Sequence, residues 1–230
     1  METERRRPPS TRIDTSMLKP DFETRSPAAE QIMSVALELF AEHGVDAVTV
    51  RQIAEAAGQK NHAAVGYYFG SKEDLVRAVV AHGARLIDEM RNQMLDAMEA
   101  QGGPKSIFEV TDCLVRSSLP PAPAPWSECY NRFIVVLALA NRKLFMDALE
   151  GRWNSGYQRC LAHIRRLLPR DLPRTIVSQR LVFLTATIGG ILASRESELA
   201  DRSRTHSIWA DPATLTHLAQ SLASMLEAAA

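Results

Sequence analysis

Between residues 26 and 74 the chain carries three helix starts, and this crowding is what most limits its fold. Ser26-Pro27 pairs a cap residue with proline at the first helical position. Thr49 with Gln52 has the form of a capping box, and Ser71 with Asp74 caps a third start. Gly44 and Gly58 supply the stops. The first helix shows Ile32, Ala36, Leu39 and Phe40 at helical spacing. The second carries a short apolar face of Ile53, Ala54 and Ala57, and a compact third helix is predicted over about 63–69. Ile53 and Ala54 must pack on Val65 and Phe69, with Ala54 and Ala57 small enough for a close crossing and Gly58 free to turn. Two short helices joined in this way inside a three-helix unit are a helix-turn-helix pattern.

Beyond it the sequence stays helical. A long fourth helix from Ser71 turns Leu75, Val79, Leu86, Met90 and Met94 inward until Gln101-Gly102-Gly103-Pro104 breaks it. Further helices are predicted over about 105–119, 126–149, 152–168, 172–195 and 212–228, with 120–125 as an exposed proline-rich linker. No alternating strand pattern occurs, and the hydrophobic fraction of 46% is enough for a real core. The fold class is therefore all-α, in three parts: a disordered arm (1–25), a helix-turn-helix module (26–72) and a larger helical domain (73–230). In the arm, Arg5–Arg7 and Arg12 are either inert or reach DNA phosphates or a minor groove.

Charge argues against the obvious partner before it argues for it. Lys+Arg and Asp+Glu both total 27, and residues 26–80 carry four bases against seven acids, a net of −3. A DNA-binding module is ordinarily basic, so the case rests on local placement. Between 49 and 72 the balance is +2, from Arg51, Lys60 and Lys72 against Glu55. The leading end of the second short helix would project Gln59, Lys60, Asn61, His62, Ala63 and Ala64, residue types able to read base edges in a major groove. Tyr67 and Tyr68 follow one turn later, where a hydroxyl can bond phosphate, or where both rings simply close the small core. Lys72 opens the next helix, and Thr49 and Arg51 approach from the other side, all suited to phosphate. His62 reads equally as a base contact or a polar turn residue.

The run from Ile32 through Ala36-Leu37-Glu38-Leu39-Phe40-Ala41-Glu42-His43-Gly44 resembles the TetR family of bacterial regulators. So does the run from Thr49 to Gly58, and then Tyr67-Tyr68-Phe69-Gly70-Ser71-Lys72-Glu73-Asp74-Leu75, in the family's order. The likeness covers about residues 28–80. Here the segment between Gly58 and Phe69 is one residue longer than the family's common form, Gly66 stands where a tyrosine is usual, and Tyr68 replaces a frequent histidine. The resemblance implies a homodimer on a double-stranded DNA operator, a helical C-terminal domain that binds a small-molecule effector, and dimerisation through the last two long helices. Release from DNA by ligand is the usual outcome; a DNA-binding dimer without ligand control is the alternative.

Leu215, Leu218, Leu222 and Met225 at helical spacing, beside the apolar Leu181–Ala193 with Gly189-Gly190, support a four-helix dimer interface or burial within one subunit. Phe108, Trp126, Tyr130, Phe133 and Trp153 are candidates for an apolar ligand pocket, or ordinary core. Cys160 and His163 lie three apart on a helix, but two ligands are too few for a metal site, and HExxH, paired CxxC, Gly-rich phosphate loops and nucleophile elbows are absent. Neither a cofactor nor an enzyme is expected. Three widely spaced cysteines indicate no disulfide framework, no apolar run follows Arg5–Arg7, and Leu181–Ala193 is short for a bilayer. A soluble protein of the reducing cytoplasm, without a membrane partner, is the expectation.

Overall fold

The computed structural model describes residues 25–119, 121–149, 151–152 and 154–229. The arm expected over 1–25 lies, Arg25 apart, outside these residues, and so does the pocket candidate Trp153. Among the described residues the chain forms α1 (Pro27–His43), α2 (Val50–Ala56), α3 (Ala64–Phe69), α4 (Lys72–Glu99), α5 (Ile107–Ser117) and α6 (Tyr130–Ala140). These are followed by α7 (Arg142–Leu149), α8 (Ser155–Leu167), α9 (Arg174–Ala200), α10 (Ser207–Ala210) and α11 (Ala213–Glu227), with no strand.

The expected caps form. Ala29 N–H donates to Ser26 Oγ at 3.3 Å. The Thr49–Gln52 box closes in both directions, and Asp74 N–H donates to Ser71 Oγ at 3.0 Å. One expected helix is split: the stretch read as 126–149 breaks at Asn141, whose Oδ1 accepts the Leu144 N–H at 3.0 Å and caps α7. Asparagine offers the backbone this local bond in place of a helical one. The helix also starts later than expected, at Tyr130, so Trp126 sits in the turns that precede α6.

Two apolar cores organise the chain. The first joins Ile32, Phe40, Ile53, Val65, Leu75 and Val79 to Trp126, Tyr130, Phe133 and Leu137, so it runs from the short helices into α6 and α7. Phe40 and Phe133 stack with ring centroids 6.0 Å apart. The second gathers the end of α4 with α5, α8, α9 and α11 around Leu95, Leu114, Ile164, Leu184 and Leu222. α4, 28 residues and about 42 Å long, belongs to both. Gly83 lets α6 approach it: a Cβ there would lie 2.1 Å from Tyr130 Cε2. The Tyr130 hydroxyl then donates to the Val80 carbonyl at 2.7 Å.

The N-termini of α6 and α8 have no capping side chain of their own. Each is closed from a long helix. Glu196 of α9, 1% exposed, accepts the Asn131 N–H at 3.1 Å and the Arg132 N–H at 2.7 Å. Asp88 of α4 accepts the Gly156 N–H at 2.8 Å and the Ser155 hydroxyl at 2.9 Å. Burial raises the Glu196 carboxyl above its ordinary value, with the amide bonds pulling it back.

α9 is apolar enough over its 27 residues to match a membrane span by length and composition, which the run Leu181–Ala193 alone had not suggested. In the fold its inward row of Leu181, Leu184, Ile188 and Leu192 is buried in the second core. Leu218 and Leu222 of α11, expected at a dimer interface, are also spent within the chain, and the Thr111 hydroxyl donates to the Ala219 carbonyl at 2.8 Å to fix that packing on α5. On its other side α9 leaves Val182 and Phe183 outward, 65% and 54% exposed.

Two outcomes test this architecture. Glu196→Ala strands two part-buried amides and is expected to cost about 1–3 kcal/mol in urea unfolding; an unchanged midpoint would mean that water replaces the carboxylate. His82 rests on Trp126 at 4.3 Å, and burial, then the Arg85 and Arg25 guanidiniums, pushes its imidazole from 6.5 down to about 4. The unfolded chain binds that proton more readily, so this contribution is whole above pH 6.5 and lost as pH falls towards 4. Tm should therefore fall more steeply over this window in the wild type than in His82→Phe, and parallel curves would refute the burial of a neutral ring.

Candidate nucleic-acid interface

The helix-turn-helix geometry is built by a few apolar contacts. Ile53 and Ala54 of α2 and Val65 of α3 are essentially fully buried, while Phe69 is half-buried against the same core. Gly58 turns the chain with φ +67°, a left-handed conformation that side chains rarely adopt. The Gln59 N–H donates to the Ala54 carbonyl at 2.9 Å and closes the end of α2. Asn61 starts α3: its Oδ1 accepts the Ala63 N–H at 2.9 Å and its carbonyl accepts the Ala64 N–H at 3.0 Å.

Most of the residues singled out from the sequence share one exposed surface. Lys60, Asn61, His62 and Ala63 are exposed in and after the turn. Ala64 differs from the outward placement expected of it: at 9% exposure it faces the core, because α3 begins there and its first turn must meet α2. Its small side chain allows that close packing. Tyr67 projects at 83% exposure, which removes the reading in which it closes the small core; Tyr68 is 38% exposed and meets the Tyr67 ring edge-on at 5.0 Å. Lys72 is half-buried at the first position of α4.

Three of these side chains are already engaged. The Thr49 hydroxyl both donates to Gln52 Oε1 at 2.8 Å and accepts the Gln52 N–H, so its local work is to hold the first turn of α2. Arg51 Nε donates to Glu55 Oε1 at 2.8 Å, and His62 Nε2 stands 3.9 Å from the same oxygen. The bond from Arg51 holds the Glu55 carboxyl below its ordinary value. Sequence reasoning counted Glu55 only as an opposing charge. It is the link between Arg51 on α2 and His62 beside α3, and a pairing of this kind at a fully exposed site is readily exchanged for phosphate.

Three of the pocket candidates come together, but as packed core: Tyr130 lies between Trp126 and Phe133 with ring centroids 6.2 and 6.3 Å away, all three buried in the first core. Phe108 is apart from them, half-buried on the second core. Phe133 also borders a cleft of about 420 Å³, between α1, the start of α4, α6 and α7. Cys160 is fully buried, while His163 Nε2 meets Glu99 Oε1 at 2.8 Å. No group of three or more metal-ligating side chains occurs among the described residues.

Residues 32–79 match the family model described as bacterial regulatory proteins, tetR family. Over 62 residues the chain is 50% identical to the HTH-type transcriptional dual regulator CecR of Shigella flexneri, covering 27% of each chain. Over 71 residues it is 35% identical to the HTH-type transcriptional repressor AcnR of Corynebacterium glutamicum, covering 30% of this chain and 37% of that one. The chain thus spans roughly a quarter to a third of the length of these curated relatives. The whole fold is similar to PfmR of Thermus thermophilus, a TetR family transcriptional regulator, with a TM-score of 0.52 and 16% identity over 85% of this chain and 96% of that one.

The packing separates two variants cleanly. Val65→Ala, at a buried position, should cost about 1–3 kcal/mol of stability. Tyr67→Ala should leave stability within about 0.5 kcal/mol and weaken DNA binding, measured by denaturation and fluorescence anisotropy side by side. Equal DNA affinity for Tyr67→Ala and wild type would take Tyr67 out of the interface.

Proposed function

We propose that this chain, a member of the tetR family of bacterial regulatory proteins through its residues 32–79, is a transcriptional repressor that binds a palindromic operator as a homodimer and is released by a small, mostly apolar ligand. The observation that carries the reading is the outward set of Lys60, Asn61, His62, Ala63 and Tyr67 on a helix-turn-helix whose main apolar residues are turned inward. Residues 26–72 act as the DNA-binding module and 73–230 as the domain for ligand and partner. Lys60, Asn61, His62 and Ala63 approach base edges. Tyr67, Tyr68, Lys72 and Arg51 bind phosphates, with Thr49 fixing the angle of α2.

A second copy would cover Val182 and Phe183, the large apolar side chains that α9 leaves outward. Such a pairing gives two recognition helices, which need a spacing of about 34–36 Å to enter successive major grooves. α4 is rooted in both cores, so a ligand that favours one arrangement of the second core changes that spacing by tilting α4. The likeness to CecR and AcnR, named a dual regulator and a repressor, supports regulation.

Binding to the DNA upstream of its own coding sequence, across a salt series, decides this. The expected result is a two-fold protected site, with Lys72→Ala reducing the salt slope by about one counterion. Binding to neither this DNA nor random DNA at low salt would overturn the reading and return weight to the net charge of −3 over residues 26–80.

A further inference from the structure

The cleft of about 420 Å³ beside Phe133 lies where the helix-turn-helix module meets the rest of the chain. Its lining comes from the end of α1, the loop over residues 44–47, the first turns of α4, and α6 with the start of α7. Phe40, Val76, Phe133, Leu137 and Leu144 form an apolar floor, with Val136 on the wall 43% exposed. The volume falls within the range of small-molecule sites, roughly 300–1,000 Å³. The rim is polar and its charges differ in their freedom. Glu73 is held by Arg77 at 3.2 Å, and the side-chain carbonyl of Asn141 is spent on capping α7. Lys72 is half-buried and has no carboxylate within ion-pair distance among the described residues. His43 stands nearby, with Glu42 at 3.9 Å.

We propose that this cleft is a binding site for an amphipathic organic monoanion, its chain on Phe40, Phe133, Leu137 and Leu144 and its anionic group at Lys72 and His43. An ammonium on the edge of an apolar floor pairs a carboxylate or sulfonate strongly once the chain has displaced water. Asp46 lies exposed on the same rim and disfavours ligands of higher negative charge. The site differs from the pocket expected within the middle helices, because it touches the DNA-reading module itself. It rests on the regulator reading in one respect: Lys72 is assigned there to a DNA phosphate, so an anion in the cleft competes with the operator for the same ammonium. The Phe40–Phe133 stack on the floor of the cleft joins α1 to α6, so a ligand seated there touches the packing that holds the module in place.

The test uses the DNA-free full chain, with decanoate and decyltrimethylammonium as probes in calorimetry. Decanoate should bind saturably and at least tenfold more tightly than the cationic probe. Val136→Trp, which fills the wall from a partly exposed position, should weaken decanoate at least tenfold without lowering Tm. No saturable binding, equal affinity for both head groups, or a Val136→Trp protein with undiminished affinity would overturn the site. These readouts need no DNA, so they stand or fall separately from the regulator reading. In a second arm decanoate should weaken binding to the upstream DNA at least fivefold. Saturable binding that leaves DNA affinity unchanged would overturn the competition for Lys72.

Discussion

The amides at the start of a helix have no partner within it, and leaving them buried and unpaired costs more than most single contacts contribute. In this chain that constraint is met at α6 and α8 by carboxylates borrowed from elsewhere, Glu196 of α9 and Asp88 of α4. The two long helices thereby fix where the two middle helices begin, and so how Phe133 and Cys160 are aimed into the cores. Burial of Glu196 works against its ionisation, which is why its contribution is better read as geometry than as net stability.

That frame explains how the small N-terminal module is attached. Its core does not close at the end of α3; it continues through Phe40 onto Phe133 and the Tyr130–Gly83 contact. A module sharing a close-packed core with α6 and α7 follows any shift of those helices, since packed interfaces change between discrete arrangements and do not stretch. α4 adds a second, rigid connection to the same module. Both routes end at α3 and Lys72, the elements proposed to meet DNA.

Electrostatics at the interface depend on position, not on totals. The module is acidic as a whole, yet its outward turn carries Lys60, and its opposing acid, Glu55, is bound to Arg51. Just beyond it, at the start of α4, Glu73 and Asp74 are held in local pairs with Arg77. On the proposed reading, such a module would meet phosphate through a small positive patch, with specificity left to the base-reading side chains.

Local signals carried the first third of the chain far. Ser26, Thr49 and Ser71 mark helix starts because a side-chain oxygen satisfies amides three residues on, a bond that needs no tertiary partner, and Gly44 and Gly58 mark turns because of the backbone they permit. The match of residues 32–79 to the tetR family model was legible for the same reason, being written in contiguous residues. The tertiary structure decided what depends on distant partners. It turned Ala64 inward and Tyr67 outward, spent Leu218 and Leu222 within the chain, and made ordinary core of Trp126 and Tyr130. It also joined Glu196 to α6 across 64 residues and opened a cleft under Lys72. Periodicity in a sequence tells which face of a helix is apolar; only the packed chain determines what that face meets.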